Sequence, residues 1–254
     1  MKINFANIWY VCKRELKGYF TSPLAYVFIV IFLVLSGFFT FNEWIGRFFV
    51  YKEANLSMTF FSFHPWFYLL LVPAVAMRLW SEEYKSGTVE LLFTLPISVS
   101  EAVTGKFLAA WTILAVSLAL TWPAVYTVGV LGSPDYGMIM TGYLASFLLS
   151  GSFLAIGSFT SSMTKNQVVS FILSFVICLF FILVSHPSVT SFFRDRLNAP
   201  VWIVDIVARC GIFEHFENMK KGLIDLRDII YFSSLIAVSL FATGITLYSK
   251  RTSI

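Results

Sequence analysis

Three carboxylates lie in the longest polar stretch within the first two thirds of this apolar chain. Glu82, Glu83 and Glu90 surround Gly87 within residues 80–98. Glycine tolerates left-handed backbone angles that end a helix, and a carboxylate in the first turn of the next helix complements its free N–H groups. These residue types at this spacing predict a helix end followed by the capped start of a second helix, and they do not predict catalysis.

The residues after this break predict a short amphipathic helix. Thr88 or Gly87 can cap its start, and Pro96 stops it because proline lacks the backbone N–H. Three apolar residues share one face of it: Val89, Leu92 and Phe93. Two interpretations remain open: only a well-capped turn between two membrane spans, or a small amphipathic rod presented on one side of a membrane with a role of its own.

Catalytic motifs do not occur in the sequence. It contains no G-x-x-x-x-G-K-[ST] loop, no H-E-x-x-H and no G-x-S-x-G, so we expect no P-loop nucleotide binding by this chain. His215 lies between Glu214 and Glu217, but an exposed, charge-rich helix explains this trio better than a metal. Three cysteines lack disulfide or metal-ligand spacing: Cys12, Cys178 and Cys210. We expect no cofactor and no metal in this chain.

The composition predicts an integral membrane protein. Hydrophobic residues make up 58% of the 254 residues, charged residues only 13%, and soluble domains are far more polar. The mean hydropathy is +0.80. The net charge of +4 is modest, and the sequence contains no basic cluster of the kind that binds nucleic acid, so we expect no nucleic-acid partner.

Six apolar runs predict six transmembrane helices in a single membrane domain covering residues 1–254. The runs are residues 24–41, 58–79, 107–131, 138–163, 168–185 and 229–248. Pro65 and Pro73 are expected to kink the second span, and Pro123 the third. Small residues in the fourth span allow close helix packing. The spans carry few ionisable residues at depth, which disfavours ion-coupled transport.

Residues 1–22 predict a helix in the membrane interface and not a signal peptide, because charges interrupt its apolar run. Apolar residues including Trp9 fall on one face, and Arg14 and Lys17 lie opposite, near lipid headgroups. An N-terminal helix packed on protein is the alternative.

Residues 186–228 form the one long segment outside the spans. Residues 200–210 are apolar but too short to cross a bilayer, and they predict a re-entrant or interfacial helix followed by a second one over residues 212–221. The apolar residues that define this pair include Trp202, Ile206, Phe213 and Phe216.

The charge distribution predicts the orientation. Ten Lys and Arg residues fall on the side of the termini: Lys2, Lys13, Arg14, Lys17, Arg78, Lys85, Lys106, Lys165, Lys250 and Arg251. The short loops opposite carry only Arg47 and Lys52, and the long loop balances six cations with six acids. Positive charges in short loops stay in the cytoplasm, so we expect both termini and residues 80–98 to be cytoplasmic.

The pattern E-x-x-x-G-T-x-E-x-L-x-x-x-P resembles the signature of type-2 ABC export permeases. Five of its members are Glu83, Gly87, Glu90, Leu92 and Pro96, with Thr88 beside the glycine. The resemblance implies a coupling helix that docks on an ATP-binding subunit. It also implies an N-terminal elbow helix, six spans, and a short outer helix pair. Residues 213–232 are similar to gliding-motility-type (GldF-like) or copper-enzyme-maturation permeases.

The resemblance further implies the partners and the compartment. ATP and Mg²⁺ would be bound by a separate ATP-binding subunit, and a second permease chain, identical or homologous, would complete a dimer in the inner membrane. An ATP-driven exporter is therefore the leading interpretation. A membrane scaffold or assembly factor without transport activity is the alternative, and an intramembrane enzyme is disfavoured because the spans hold no polar constellation.

Overall fold

The computed structural model describes residues 4–45, 48, 56–89, 96–195, 202 and 208–251, and this part of the chain is helical. Its eleven α-helices are α1 (Phe5–Thr21), α2 (Pro23–Phe41), α3 (His64–Ala76), α4 (Arg78–Ser86), α5 (Val99–Ala119), α6 (Trp122–Leu131), α7 (Tyr136–Met163), α8 (Gln167–Ser185), α9 (Pro187–Asp195), α10 (Ile212–Lys220) and α11 (Leu226–Arg251).

Five helical stretches are long and apolar enough to cross a membrane. They are Pro23–Phe41, Val99–Leu131, Tyr136–Met163, Gln167–Ser185 and Leu226–Lys250. They coincide with five of the six spans that the sequence predicts. The chain is therefore a multi-pass, all-α membrane protein.

Helix α7 is the centre of the bundle. In the most apolar 18-residue segment of α7, 78% of the residues are buried, whereas the corresponding share is 28% in α2 and in α8. Its small residues let other helices approach: a Cβ added to Gly151 would lie 2.7 Å from Trp111 of α5. The predicted role of small residues in close packing is confirmed at this position.

The second predicted span, residues 58–79, is not one helix. A 3-10 turn over Phe61–Phe63 leads into α3, and the chain turns at Met77 before α4. Pro65 was expected to kink the span but lies in the first turn of α3, where its missing N–H has no partner to lose. Pro73 lies inside α3, close to the turn at Met77, so only this proline lies at a position that weakens the helix.

The third predicted span begins eight residues early and is divided. Ser98 and Glu101 form a reciprocal capping box, which starts α5 at Val99 instead of residue 107. The helix stops at Ala119, and Pro123 lies in the first turn of α6. Proline removes a backbone donor and crowds the preceding turn, so the expected kink is a complete break.

The two ends of the bundle differ. We call the end at which α1 contacts α5 the α1 end, and the opposite end, at which α10 lies, the far end. The predicted N-terminal helix is confirmed as α1, but it packs on protein: Val11 and Cys12 are buried, and a Cβ on Gly105 of α5 would meet Val11. Trp9 is exposed on its outer side.

The long loop contains two described helices. The predicted second outer helix is α10, and Gly222 follows it with a φ of 88°. Helix α9 is a further element that the sequence did not predict. Most of the first predicted outer helix, residues 200–210 with Ile206, lies outside the described residues, and Trp202 is exposed.

Candidate functional site

The predicted break after α4 lies where the sequence places it. Helix α4 ends at Ser86, and Gly87 has a φ of 72°, in the left-handed region. Its N–H donates to the Glu83 carbonyl oxygen. The hydroxyl oxygens of Thr88 and Ser86 are 2.9 Å apart, so Thr88 contributes to the end of α4. The glycine permits this turn without strain.

Only part of the predicted docking helix falls within the described residues. Glu90, Leu92 and Phe93 lie outside them. Val89 is 3% exposed, so its side chain packs within this chain and does not present an anchor to a partner. Pro96 is exposed just before α5 begins.

Lys106 of α5 is a buried cation with two carboxylate partners. Its side chain is 4% exposed, and its Nζ lies 2.6 Å from Glu83 Oε1 and 3.3 Å from Glu15 Oε2. The ring of Trp80 lies 5.3 Å away. We call Lys106, Glu15, Glu83 and Trp80 the Lys106 cluster. Because the partners come from α1 and α4, the cluster joins three helices at the α1 end.

The charges of the Lys106 cluster support one another. Burial alone would raise the pKa of Glu15, but Lys106 and then Arg14, at 2.7 Å, hold the pKa below its ordinary value. Glu15 therefore stays ionised at neutral pH. Removing one member of a buried ion pair leaves the other charge without compensation, which costs about 3–5 kcal/mol.

A second contact holds the start of α1 on α5. Glu101 is 3% exposed, accepts the N–H of Asn4 at 2.7 Å, and accepts an amide hydrogen bond from Asn7 at 3.2 Å. Because Glu101 also belongs to the capping box with Ser98, one side chain joins the chain before α5 to the first turn of α1. The predicted interfacial residues Arg14 and Lys17 remain exposed on the outside.

Trp80 follows an apolar run, where a tryptophan is typical of a membrane interface, but its surroundings in the structure are different. It is fully buried, and its indole N–H donates to Ser158 of α7 at 3.1 Å. Ser161 of α7 accepts the backbone N–H of Trp80 at 3.1 Å and donates to the Met77 carbonyl at 2.9 Å. Backbone groups at the turn between α3 and α4 therefore find their hydrogen-bond partner in a serine of α7, a helix whose small residues were expected only to allow close packing.

The C-terminal end of α11 is tied to the same region. Lys250 Nζ donates to the carbonyl oxygens of Ser162 at 2.8 Å and Met163 at 3.1 Å. It also lies 4.3 Å from the ring centre of Tyr84 on α4. Helices α4, α7 and α11 thus meet at the α1 end.

The far end carries a different set of polar contacts. Lys220 of α10 is 3% exposed and donates to Glu217 at 2.5 Å and to Ser62 at 2.9 Å. Of the predicted outer residues, Phe216 is fully buried and Phe213 is half-buried, with its N–H bonded to Ser185 at 2.9 Å.

His215 is not the freely exposed residue that the sequence suggested. Both of its ring nitrogens face oxygen atoms: Nδ1 lies 2.6 Å from Asp228 and Nε2 lies 3.0 Å from the Arg209 carbonyl. The ring stacks on Tyr231 at 4.1 Å. Within the described ranges, no group of three or more His, Cys, Asp or Glu side chains could hold a metal ion.

His64, at the start of α3, is fully buried inside the bundle. Its Nδ1 lies 2.5 Å from Ser146 of α7, and the hydroxyl of Tyr68 lies 3.0 Å from the same serine. This polar contact holds α3 on α7. In the sequence, the small residues of the fourth span were the one indication of this contact between α3 and α7.

Comparison with known proteins assigns the class. Residues 9–195 match the family described as ABC-2 family transporter protein. The match covers more than half of the chain, so the chain belongs to this family. No curated protein matches it. The protein is therefore a membrane permease component of an ABC transporter.

Proposed function

We propose that this chain is the membrane-spanning subunit of an ATP-driven exporter, in which a separate ATP-binding subunit binds ATP and Mg²⁺. The observation that carries the proposal is the geometry at Gly87. Helix α4 ends there in a left-handed turn, and the Lys106 cluster holds α4 on α1 and α5. A force applied to the segment after Gly87 would therefore reach three helices together.

Contacts at the two ends support a six-span arrangement. Ser62, just before α3, bonds Lys220 at the far end, and Glu83 of α4 bonds Lys106 at the α1 end. Helices α3 and α4 together therefore run from one end of the bundle to the other. A sixth crossing of this kind would bring both termini to the α1 end, and the excess of Lys and Arg there favours the cytoplasm.

The docking surface for the ATP-binding subunit would be the segment from Thr88 to Pro96. Glu90, Leu92 and Phe93 remain the proposed contacts, with Glu90 as an acid that pairs with a cation of the partner. Glu83 would act indirectly through Lys106, because its carboxylate is held inside this chain. A second permease chain is proposed because transporter ATPases act in pairs, and the outer helices would close the outward end of the path.

A membrane scaffold is the alternative function. It would also assemble with a partner at residues 80–98, but it would not couple ATP hydrolysis to movement of a substrate. The buried Lys106 cluster favours the transporter, since a passive contact does not require three helices to be joined behind it.

The test compares Gly87→Ala with Gly37→Ala in the permease reconstituted with its ATP-binding subunit. A side chain at Gly87 meets the left-handed penalty of about 1–2 kcal/mol, whereas Gly37 has a negative φ and open space around it. We expect Gly87→Ala to lower permease-stimulated ATPase activity and transport, and Gly37→Ala to leave both unchanged. Normal stimulation in Gly87→Ala would contradict the coupling role.

Glu90→Ala and Glu90→Gln then separate docking from capping. A cap at an exposed helix start contributes at most about 1 kcal/mol, but an unpaired partner cation in a buried interface costs several times more. We expect both variants to weaken assembly with the ATP-binding subunit equally while the permease still inserts. Full assembly and stimulation in Glu90→Ala would remove Glu90 from the interface. Assembly without any ATPase stimulation in the wild type would favour the scaffold.

A further inference from the structure

A polar cleft opens at the α1 end, between α1, the start of α2, and α4. Glu15 and Tyr19 of α1 line one side, and Arg78 and Glu82 of α4 line the other. Its volume is about 230 Å³. Sites for drug-sized ligands measure roughly 300–1,000 Å³, so this cleft suits a smaller group.

Two of the charges at this cleft have no partner in the part of the chain that the structure describes. Lys106 and Glu15, which also line it, are already paired: Lys106 with Glu83 and Glu15, and Glu15 also with Arg14. Arg78 and Glu82 are exposed, and among the described residues neither side chain makes an ion pair or a hydrogen bond. They are four residues apart on α4, a spacing at which helical side chains can pair. Among the described residues, the cleft therefore offers a guanidinium and a carboxylate that have no ion-pair or hydrogen-bond partner.

The cleft lies at the level at which a spanning helix begins. Ser22 and Leu24 line it, and they flank Pro23, the first residue of the candidate span α2. The ends of spanning helices lie in the headgroup region of a bilayer. A ligand that reaches this cleft from the membrane would therefore present its polar headgroup and keep its acyl chains beside α2.

We propose that the cleft binds the phosphoethanolamine headgroup of a membrane phospholipid. The Arg78 guanidinium would bind the phosphate through paired N–H donors, and the Glu82 carboxylate would accept N–H bonds from the primary ammonium. A quaternary ammonium has no N–H to donate, and a purely anionic headgroup offers no cation to Glu82. The cleft thus selects a zwitterionic aminophospholipid over choline and glycerol headgroups. The lipid would brace α4 against α1.

The inference rests on the membrane position of α2 and not on the export activity. It is tested on the purified permease without its ATP-binding subunit. Native mass spectrometry would compare retention of phosphatidylethanolamine, phosphatidylcholine and phosphatidylglycerol with identical acyl chains. We expect phosphatidylethanolamine to be retained at least about tenfold better, the scale of one charge-assisted hydrogen bond.

Two variants assign the two contacts. Glu82→Gln removes the ammonium acceptor, so we expect it to abolish the preference for phosphatidylethanolamine over phosphatidylcholine. Arg78→Gln removes the phosphate contact, so we expect it to lower retention of both lipids by about tenfold. Lys85→Gln is the matched control, because Lys85 is exposed on the same helix and does not line the cleft.

Equal retention of the three lipids by the wild type would overturn the proposal, whether or not the variants fold. An unchanged preference in Glu82→Gln, with normal circular dichroism, would also overturn it. If Arg78→Gln and Glu82→Gln keep the lipid ranking but lose co-purification with the ATP-binding subunit, the cleft is a protein-docking site and the lipid assignment is wrong.

Discussion

The two ends of the bundle each contain a buried lysine, but one lysine pairs with carboxylates of other helices and the other pairs with a carboxylate of its own helix. Lys106 and Lys220 are each 3% exposed. The carboxylates that pair with Lys106 come from two other helices: Glu15 lies on α1 and Glu83 on α4. The carboxylate that pairs with Lys220 belongs to Glu217, which lies three residues earlier on the same helix.

The far end is therefore joined to the bundle by weaker links. The one side-chain bond of Lys220 to another described element is to the neutral hydroxyl of Ser62. Glu217 also lies 3.9 Å from the exposed Lys221, so its charge is not left alone when Lys220 is lost. A second link, between His215 and Asp228, joins α10 to α11.

We therefore expect the α1 end to move as a unit and the far end to open more easily than the α1 end. Three helices share one set of buried charges at the α1 end, so displacing α4 alone would expose uncompensated charge. At the far end, α10 can separate from Ser62 while its own ion pair with Glu217 remains intact. An exporter of the kind proposed would need both properties: rigidity on the side at which the ATP-binding subunit docks, and a closure that opens on the other side.

Lys106→Met should have the largest effect on stability. It removes the cation that Glu15 and Glu83 share and leaves Glu15 paired with Arg14 alone, so we expect a loss of about 3 kcal/mol in the free energy of unfolding, the lower end of the range for a broken buried ion pair. Thermal and denaturant unfolding of the purified permease would measure it. Lys85→Met is the control, because Lys85 is exposed on α4.

A change in Lys106→Met no larger than that in Lys85→Met would remove the basis for the comparison of the two ends. Lys106→Arg is a second test, since it keeps the charge but not the shape. We expect it to recover part of the stability if charge compensation is the main contribution.

Lys220→Met should have a smaller effect, because Lys221 can partly compensate Glu217 and Ser62 is neutral. We expect about 1.5 kcal/mol, the contribution of one hydrogen bond with a charged partner. The same unfolding measurements apply. A loss equal to that of Lys106→Met would show that the far end is as firmly joined as the α1 end.

Most of the fold could be predicted from run length and capping signals. Five spans agree because 18 or more apolar residues have few alternatives to a membrane helix. The breaks at Met77 and Leu120 could not be placed, because Pro73 and Pro123 indicate weakened helices without showing where the backbone finds other partners. In this structure Ser161 of α7 supplies one such partner to Met77, more than eighty positions away.

The site was predictable only in its local part. The turn at Gly87 follows from glycine's backbone freedom and agrees with the structure. The pairing of Lys106 with Glu15 and Glu83 depends on how α1, α4 and α5 pack, and no periodicity encodes it. For the same reason Trp80 looked like an interfacial residue, although it is a buried donor to Ser158.

The smallest expected effect is the pH dependence of the α1 end. Burial tends to raise the pKa of Glu15, but Lys106 and Arg14 lower it overall. A carboxyl group with a lowered pKa stabilises the fold above its unfolded value of about 4.3, and this contribution is lost as the pH falls through the lowered pKa. We therefore expect the thermal midpoint to fall on acidification below about pH 4.3.

Glu15→Gln should reduce this dependence at low pH, because the glutamine does not titrate. Glu214→Gln, an exposed acid on α10, is the control and should keep the wild-type slope. Hydrogen bonds from the backbone N–H groups of Asn4 and Ser98 also hold the pKa of Glu101 below its ordinary value, so part of the dependence can persist in Glu15→Gln through that carboxylate. If Glu15→Gln and the control have the same slope, Lys106 is compensated by Glu83 alone. Helix α1 would then be held on α5 mainly by Glu101, and the rigid unit at the α1 end would reduce to α4 and α5.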